Sequence, residues 1–244
     1  MSEELCIFKR IEKKYRLTKQ QKTELLEAVG DYLIPDEHGE STVCSLYLDT
    51  PDHLLIRNSI DAEAYKEKLR LRSYGTPKPD SSVFLELKKK YKGVVYKRRV
   101  SMTLEEAEKY IEQGEIPLDS QIMKEIDYAM EFYHHPKPSM MIVYERQAYY
   151  VKDMPNLRLT FDTSVRYRDT GLLLEEGTEG RKIIPDDMVL LEIKTDGAMP
   201  VWLAHALDKC KIRPSSFSKY GTAYLETLKE EINHKGENEH VSAF

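Results

Sequence analysis

The sequence has no long apolar run and few cysteines. No segment approaches the roughly 18 to 20 apolar residues of a membrane-spanning helix, and the first residues lack the apolar region of a signal peptide. The three cysteines, Cys6, Cys44 and Cys210, lie far apart and form no C-x-x-C pair. Their number and spacing indicate neither a disulfide framework nor a zinc site, so we expect buried, reduced thiols in a cytoplasmic protein.

Other protein classes are disfavoured by what is absent. The 244 residues carry a net charge of −5, which argues against nucleic acid as a partner because broad affinity for it needs a basic surface. The sequence contains no Walker loop, no G-x-S-x-G motif and no H-x-E motif with paired cysteines. No repeat or Gly/Ser linker divides the chain. We therefore predict one domain over residues 1–228 and a polar C-terminal tail over residues 229–244.

What the sequence does contain is charge at every second position of strand-like segments. The clearest run is Lys68-Leu69-Arg70-Leu71-Arg72, and similar alternation recurs at 157–162 and 191–194. Successive side chains of a strand point to opposite faces, so each segment has one apolar face and one charged face. A one-sided sheet with its polar face in water would show the same alternation. A charged interior is favoured because basic residues are concentrated in these strands of an acidic chain, and because the arginine fork matches phosphate or carboxylate oxygens.

This pattern predicts an α+β fold in which an antiparallel eight-stranded β-barrel closes into a tunnel with a charged lumen and is flanked by helices. We predict strands at 7–15, 43–49, 65–73, 82–91, 94–101, 141–149, 157–168 and 187–195, with a weaker candidate at 172–176. Capping and stop signals predict helices near 19–29, 104–113, 120–134, 200–210 and 216–233, the last capped by Ser216 and followed by a frayed end.

Seven short motifs occur in order along the chain. They are KY at 14–15, SLYLD at 45–49, LRLR at 69–72, YER at 144–146, LTFDT at 159–163, LEIK at 191–194 and SFSK at 216–219. Together they resemble the catalytic domain of the vacuolar transporter chaperone (VTC) family, within the CYTH-like triphosphate tunnel metalloenzymes. The resemblance covers residues 7–225.

Two positions depart from the family pattern. Arg10 replaces the first glutamate of the E-x-E-x-K signature of the tunnel enzymes, and Ser216 stands where eukaryotic VTC members have a lysine. Fewer positive charges at the second position would give shorter products or weaker binding.

The resemblance implies a metal-dependent polymerase that transfers the terminal phosphate of a nucleoside triphosphate such as ATP to inorganic polyphosphate. It implies phosphate ligands at Lys14, Arg70, Arg72, Lys97, Arg146, Arg158, Ser218 and Lys219, a metal ligand at Glu192, and Tyr144 beside the phosphate site. Strand alternation adds Lys88, Arg99 and Lys194 as substrate ligands. We expect Lys14, Arg70, Arg72, Arg146 and Glu192 to take part in catalysis.

The chemistry of phosphoryl transfer agrees with this residue set. Such transfer is catalysed mainly by positioning, by fixed positive charge and by a metal that bridges phosphate oxygens. Carboxylate oxygens suit Mn²⁺ or Mg²⁺. Glu192 is the strongest metal candidate, and Glu12 or Glu86 would complete the shell directly or through water. A helix that begins near Ser218 and Lys219 adds backbone N–H groups and a dipole that favour an anion.

Two other functions stay open at this point. One is a tunnel triphosphatase that cleaves inorganic or organic triphosphate with water, and the other is a non-catalytic module that binds polyphosphate or inositol phosphates. Glu192 beside Lys194 disfavours the binding module, because a carboxylate without a metal costs affinity for an anion. The sequence leaves open the nucleotide, the product length, the primer, the oligomeric state and any association with a separate membrane protein.

Overall fold

The computed structural model describes residues 11–61, 63–92 and 94–241. Cys6, Arg10 and the start of the first predicted strand lie outside these residues. The buried, free thiols expected at Cys44 and Cys210 are confirmed.

One antiparallel sheet forms the body of the protein. Its strands are β1 (Ile11–Thr18), β2 (Leu33–Asp49), β3 (Tyr65–Tyr74), β4 (Ser82–Tyr91), β5 (Val94–Thr103), β6 (Lys137–Val151), β7 (Met154–Arg168), β8 (Arg181–Lys182) and β9 (Met188–Thr195). The strands are ordered β1-β9-β7-β6-β2-β3-β4-β5, and the two-residue β8 pairs with β7 outside this path. The α+β fold and the eight predicted long strands are therefore confirmed.

The hydrogen-bonded ladder of this sheet stays open in the described part of the chain, an arrangement consistent with the predicted tunnel. Within the described residues, β1 pairs only with β9 and β5 pairs only with β4, so these two strands are the edges of the sheet. A side-chain contact spans the gap instead: Lys88 Nζ on β4 lies 3.4 Å from a Glu12 carboxylate oxygen on β1. Long charged side chains thus occupy the space where ladder hydrogen bonds would complete a barrel.

Four of the six helices cover the outer, apolar face of the sheet. The helices are α1 (Lys19–Val29), α2 (Leu54–Ile60), α3 (Leu104–Gln113), α4 (Gln121–Phe132), α5 (Val201–Lys209) and α6 (Lys219–Val241). Leu69, Leu71 and Leu85 pack with residues of α3 and α4 in one core cluster. Leu159 and Ile193 pack with residues of α1 and α5 in another. The apolar alternate positions of the strands therefore face helices, as predicted.

Side chains define where these helices begin. Thr18 and Thr103 each make a reciprocal capping box, with Gln21 and Glu106 respectively, and so start α1 and α3. Of the two candidates for the start of α4, Ser120 is the cap, because its hydroxyl accepts a hydrogen bond from the backbone N–H of Met123. The start signals read from the sequence are confirmed at these three helices.

The last helix, α6, lies on the inner face of the sheet. Its residues Tyr220 and Ala223 share a core cluster with Tyr47, Ile142 and Tyr144. Tyr47 is paired with Arg70 in the β2–β3 register, so the two side chains project from the same face of the sheet. The first turns of α6 therefore pack against the charged side of the sheet and not against its apolar side.

The weak strand candidate at 172–176 is wrong. Leu174–Glu176 is a single turn of 3₁₀ helix. The Arg168 guanidinium donates hydrogen bonds to the carbonyls of Gly171, Leu173, Gly177 and Glu179. Because a side chain binds these carbonyls, the segment needs no strand partner.

The boundaries of α6 and the helix α2 also differ from the prediction. Helix α6 begins at Lys219, three residues after the predicted position 216. The Ser218 hydroxyl, and not that of Ser216, accepts a hydrogen bond from a backbone N–H group, that of Gly221. The helix runs through to Val241, so its backbone is continuous across residue 228 and past residue 233. No helix was predicted at α2, which lacks an N-cap side chain of its own because Asp49 accepts from the N–H groups of Leu55 and Ile56.

The single tryptophan lies on the outer face of the sheet. The ring of Trp202, on α5, stacks on Tyr32 at a centroid distance of 4.2 Å and packs against the core cluster shared with α1. No helix in the described part of the chain combines the length and apolarity needed to cross a membrane.

The outer face can be tested at Leu69, which is fully buried. We expect Leu69→Ala to lower the free energy of unfolding by about 2 to 5 kcal/mol, because the lost methyl groups leave a cavity between the sheet and the helices. Urea unfolding followed by circular dichroism measures this. The exposed Lys90→Ala in β4 is the control and should change the free energy by less than about 0.5 kcal/mol. Equal effects of the two substitutions would contradict the assignment of faces.

Candidate active site

A large charged cavity lies on the inner face of the sheet. Its volume is about 1330 Å³, and side chains from all eight long strands line it. The predicted site residues on its wall are Glu12, Arg70, Arg72, Lys88, Lys97, Arg99, Arg146, Arg158 and Lys194. The alternation in the sequence therefore brought these residues to one cavity.

The other predicted residues lie next to this wall. Lys14 Nζ is 3.3 Å from Glu12, and Glu192 is 2.8 Å from Lys194 Nζ. The Tyr144 hydroxyl accepts a hydrogen bond from Arg72 at 3.3 Å. Ser218 lies immediately before α6, and Lys219 is the first residue of this helix. Lys14, Glu192 and Tyr144 are thus each one contact away from a residue of the cavity wall. Ser218 and Lys219 contact Lys68 and Asp162, which are not among the residues that line the cavity.

Glu86 holds one group of cations on the wall. Its carboxylate is 1% exposed and lies 2.6 Å from Arg70, 2.7 Å from Lys97 and 3.0 Å from Arg99. Burial would raise the pKa of Glu86, but the nearby Arg70, Arg72 and Lys97 lower it strongly, so the carboxylate stays ionised. Glu86 had been considered as part of a metal shell. In this structure its oxygens contact four cations, the three above and Arg72 at 3.9 Å, and anchor them.

Asp162 holds a second group in the same way. Its buried carboxylate accepts two hydrogen bonds from Arg146, at 2.6 and 2.8 Å, and one from Lys219 at 2.5 Å. The Tyr144 ring lies against both cations, with its centroid 4.4 Å from Lys219 Nζ and 5.0 Å from Arg146 Cζ. Although burial favours the neutral acid, Lys219 and Arg146 keep the pKa of Asp162 below its usual value. The positions of Arg146 and Lys219 are therefore fixed.

Glu12 and Glu192 form the acidic part of the site. In the β1–β9 register, Glu12 is opposite Lys194 and Lys14 is opposite Glu192, so the two carboxylates lie diagonally on one face. Burial opposes ionisation of Glu192, but Lys194 and Lys14 outweigh it and lower its pKa well below the usual range. These two carboxylates alternate with two lysines across the pair of strands.

This acidic pair fits a divalent cation that also binds phosphate. No cluster of three or more histidine, cysteine or acidic side chains suited to a metal occurs in the part of the chain that the structure describes. Mg²⁺ in phosphate-transfer sites is commonly bound by one or two carboxylates together with substrate oxygens and water. Glu192 and Glu12 supply that number of carboxylates, so a cation would depend on the substrate for its remaining ligands.

Lys68 is a part of the site that the sequence analysis did not assign. Its ammonium donates a hydrogen bond to the Ser218 hydroxyl at 3.2 Å, beside the N-terminus of α6. Burial lowers the pKa of Lys68 to about 8; Tyr47 opposes this shift, and the cations Lys14 and Lys88 add to it. The residue was present in the alternating run quoted above, two positions before Arg70. An ammonium at a helix N-terminus is unfavourable by itself, and a bound anion would remove the conflict.

Contacts with strands β1 and β2 fix the position of the first turn of α6. The Tyr220 hydroxyl donates to Asp49 at 2.7 Å, and the Tyr220 ring stacks on Tyr47 at a centroid distance of 4.3 Å. Lys14 Nζ donates to the Phe217 carbonyl just before the helix. These contacts join the helix N-terminus to strands β1 and β2, and no sequence motif indicated them.

Comparisons with known proteins agree with the architecture. The family model described as VTC domain matches residues 9–228. A search of curated proteins finds no match.

Two solved structures are similar to the chain. One is provisionally described as an adenylate cyclase, from Bacillus halodurans, with a TM-score of 0.54 and 14% identity over 86% of this chain and 93% of that chain. The other is provisionally described as an adenylyl cyclase, from Hippeastrum, and is stated to have a dominant triphosphatase activity; its TM-score is 0.49 and its identity 15%, over 86% of this chain and 93% of that chain. The first similarity shows a shared fold.

Lys68 leads to a prediction about pH. We expect the affinity for inorganic tripolyphosphate to fall as the pH rises from 7 to 9. The pKa values of Lys68 and Lys97 are lowered to about 8 by burial, and the neighbouring arginine and lysine charges lower that of Tyr47 to about 8 despite its burial. Above this pH the free site loses two positive charges and gains a negative one, so binding must be accompanied by proton uptake. Titration calorimetry at several pH values measures the trend.

A matched pair of variants assigns the effect. Lys68→Met should weaken binding at pH 7 by about 1.5 to 3 kcal/mol, the range for a hydrogen bond to a charged group, and should make the pH profile less steep, because only Lys97 and Tyr47 then contribute to it. Lys209→Met, at an exposed position on α5, should leave both unchanged. A flat profile for the unmodified protein would exclude Lys68 as a ligand of the anion.

Proposed function

Because the chain belongs to the VTC domain family, we propose that it is a metal-dependent polyphosphate polymerase that transfers the terminal phosphate of a nucleoside triphosphate, such as ATP, to inorganic polyphosphate. Both reactants are phosphate anions, and the cavity presents arginine and lysine side chains from six strands to the molecules that it encloses. A single basic cavity can therefore hold donor and acceptor together.

One observation favours transfer between phosphates over hydrolysis. The buried carboxylates of the site, Glu86, Asp162 and Glu192, are all in contact with cations that lower their pKa. A carboxylate with a lowered pKa is a weak base and a poor activator of water. The terminal oxygen of a polyphosphate is already ionised near neutral pH and needs no such base. The environment of these carboxylates therefore supports phosphate as the acceptor.

The fixed cations have the role of holding the two anions against their repulsion. Arg70 and Arg72 lie on adjacent lumenal positions of β3, and Arg146 and Lys219 face the cavity region from β6 and α6. At an effective dielectric constant of about 20, two unit charges 4 Å apart interact by about 4 kcal/mol. Repulsion of this size between donor and acceptor is offset only by several cations that are already in place, and such preorganised charge is the main source of rate enhancement in phosphoryl transfer.

Glu192 and Glu12 are the proposed ligands of a divalent cation, Mn²⁺ or Mg²⁺. When bound, such a cation would act as a Lewis acid and would stabilise the negative charge that develops on the phosphates during transfer. Lys194 and Lys14 lie beside these carboxylates, and the two lysines hold the pKa of Glu192 well below its usual range. The two lysines then remain available to the phosphates once the carboxylates bind the cation.

The direct test is an assay of products. With ATP, Mn²⁺ and a short polyphosphate primer, we expect ADP and longer polyphosphate chains, with little orthophosphate at early times. Gel electrophoresis gives chain length, and chromatography gives the ratio of ADP to orthophosphate. Equal amounts of ADP and orthophosphate without chain growth would identify a triphosphatase instead. Absence of nucleotide turnover with any divalent metal would indicate a binding module.

The metal assignment is tested by Glu192→Gln. We expect turnover to fall on the order of 100-fold or more, because a Lewis acid supplies several kcal/mol of charge stabilisation. Binding of a non-hydrolysable ATP analogue without metal should stay equal or become tighter, since a negative charge leaves a positive cavity. Calorimetry and the product assay separate the two effects. Glu179→Gln, at an exposed carboxylate, is the control; unchanged turnover of Glu192→Gln at saturating metal would remove Glu192 from the site.

A further inference from the structure

Part of the cavity wall is aromatic. Tyr74 and Phe84 line the cavity from β3 and β4, and Arg99 lines it from the neighbouring β5. Tyr74 follows Arg70 and Arg72 at the next alternate position of β3. The inner face of this strand therefore changes from cationic to aromatic at its C-terminal end.

The three side chains form one cluster of contacts. Arg99 Cζ lies 3.8 Å from the centroid of the Phe84 ring, so the guanidinium covers the ring face. Tyr74 meets Phe84 edge to face at a centroid distance of 5.9 Å, and its hydroxyl accepts from Arg99 at 3.4 Å. The Tyr74 side chain is 54% exposed. The Tyr74 ring is thus accessible at the cavity wall and is held by its contacts with Phe84 and Arg99.

Among the described residues, Arg99 makes the shortest contact between a cation and an aromatic ring. Its charge is matched by Glu86, 3.0 Å from Nε, and one face is covered by Phe84. What it presents to the cavity is the other face of a planar guanidinium. Guanidinium planes and aromatic rings are the surfaces on which nucleic-acid bases stack.

We propose that Tyr74, Phe84 and Arg99 form a subsite for the base of the nucleoside triphosphate, with the phosphates extending from it along Arg72 and Arg70 toward Lys68. Alternate residues of a strand are about 7 Å apart, so the base and the first phosphates contact consecutive positions of β3. An inorganic polyphosphate has no planar group and gains nothing from these rings. The subsite therefore distinguishes the nucleotide donor from the polyphosphate acceptor, and this inference rests on the proposed function.

The experiment compares two ligands that share a triphosphate and differ in the base. Dissociation constants are measured by calorimetry for adenosine β,γ-imidotriphosphate and for inorganic tripolyphosphate, with EDTA present so that no turnover occurs. We expect Tyr74→Ala to weaken binding of the nucleotide about 5- to 150-fold, the loss typical of one stacked base. Binding of tripolyphosphate should change by less than about twofold.

Further variants and a direct signal separate stacking from structural damage. Tyr74→Phe keeps the ring and should bind both ligands like the unmodified protein. Tyr91→Ala removes another exposed strand tyrosine, outside the cavity, and serves as the control. The β,γ-imidotriphosphate of 2-aminopurine riboside should lose fluorescence on binding, because stacking quenches this base, and Tyr74→Ala should restore the fluorescence of the bound ligand.

The outcomes are distinct from those of the product assay. Equal weakening of both ligands by Tyr74→Ala, or no weakening of either, would overturn the subsite even if the protein makes polyphosphate. Base-dependent binding without chain growth would support the subsite and reject the polymerase. Failure of the unmodified protein to bind the nucleotide more tightly than tripolyphosphate would also overturn the inference.

Discussion

The site depends on two buried carboxylates that hold many cations close together. Glu86 and Asp162 are each 1% exposed, and each lies against at least two arginine or lysine side chains. Without them, cations a few ångströms apart would repel one another by several kcal/mol. Breaking a buried pair by removing one partner commonly costs about 3 to 5 kcal/mol, because a charge is left uncompensated. The two carboxylates thus reduce the net charge of the wall in exchange for fixed positions of Arg70, Arg146 and Lys219. In phosphoryl transfer, fixed positions contribute more than additional mobile charge.

The carboxylates of the site divide into two kinds by their surroundings. Glu86 and Asp162 each contact two or more cations and fix the positions of these cations at the cavity wall. Glu12 lies on the edge strand β1, and Glu192 lies on its neighbour β9. The lysines that contact them are Lys14 and Lys194 from the same two strands and Lys88 from β4, across the gap. A ligand that brings its own negative charge can bind those lysines and leave the acidic oxygens to a cation. The open edge of the sheet therefore coincides with the part of the site best suited to exchange partners.

How much of this was readable from the sequence depended on the range of the interaction. Alternation along a strand is local, so the facing of Leu69 and Arg70 was predicted correctly, as were the capping boxes at Thr18 and Thr103. Lys68 was missed because the family motif begins at Leu69, although the alternation includes it. The helix α2 could not be predicted, since its start is set by Asp49, which also binds Tyr220 of α6 from 171 positions away in the chain. The open ladder between β1 and β5 could not be predicted, because the pairing of two edge strands is a property of the whole sheet and leaves no mark on either strand. The turn at Leu174–Glu176 was not predicted, because the carbonyls on either side of it are bound by the Arg168 side chain and not by a neighbouring strand.

The position of Trp202 has a spectroscopic consequence. The chain contains one tryptophan, and its indole stacks on Tyr32 on the face of the sheet opposite the cavity. Intrinsic tryptophan emission therefore reports on one place only, the packing of α5 beside the strands that it covers. A change in that emission marks loosening of the outer layer, and a constant emission during titration with a phosphate ligand shows that the layer stays intact. Tryptophan fluorescence can therefore monitor the packing of the outer helices independently of ligand binding in the cavity on the other side of the sheet.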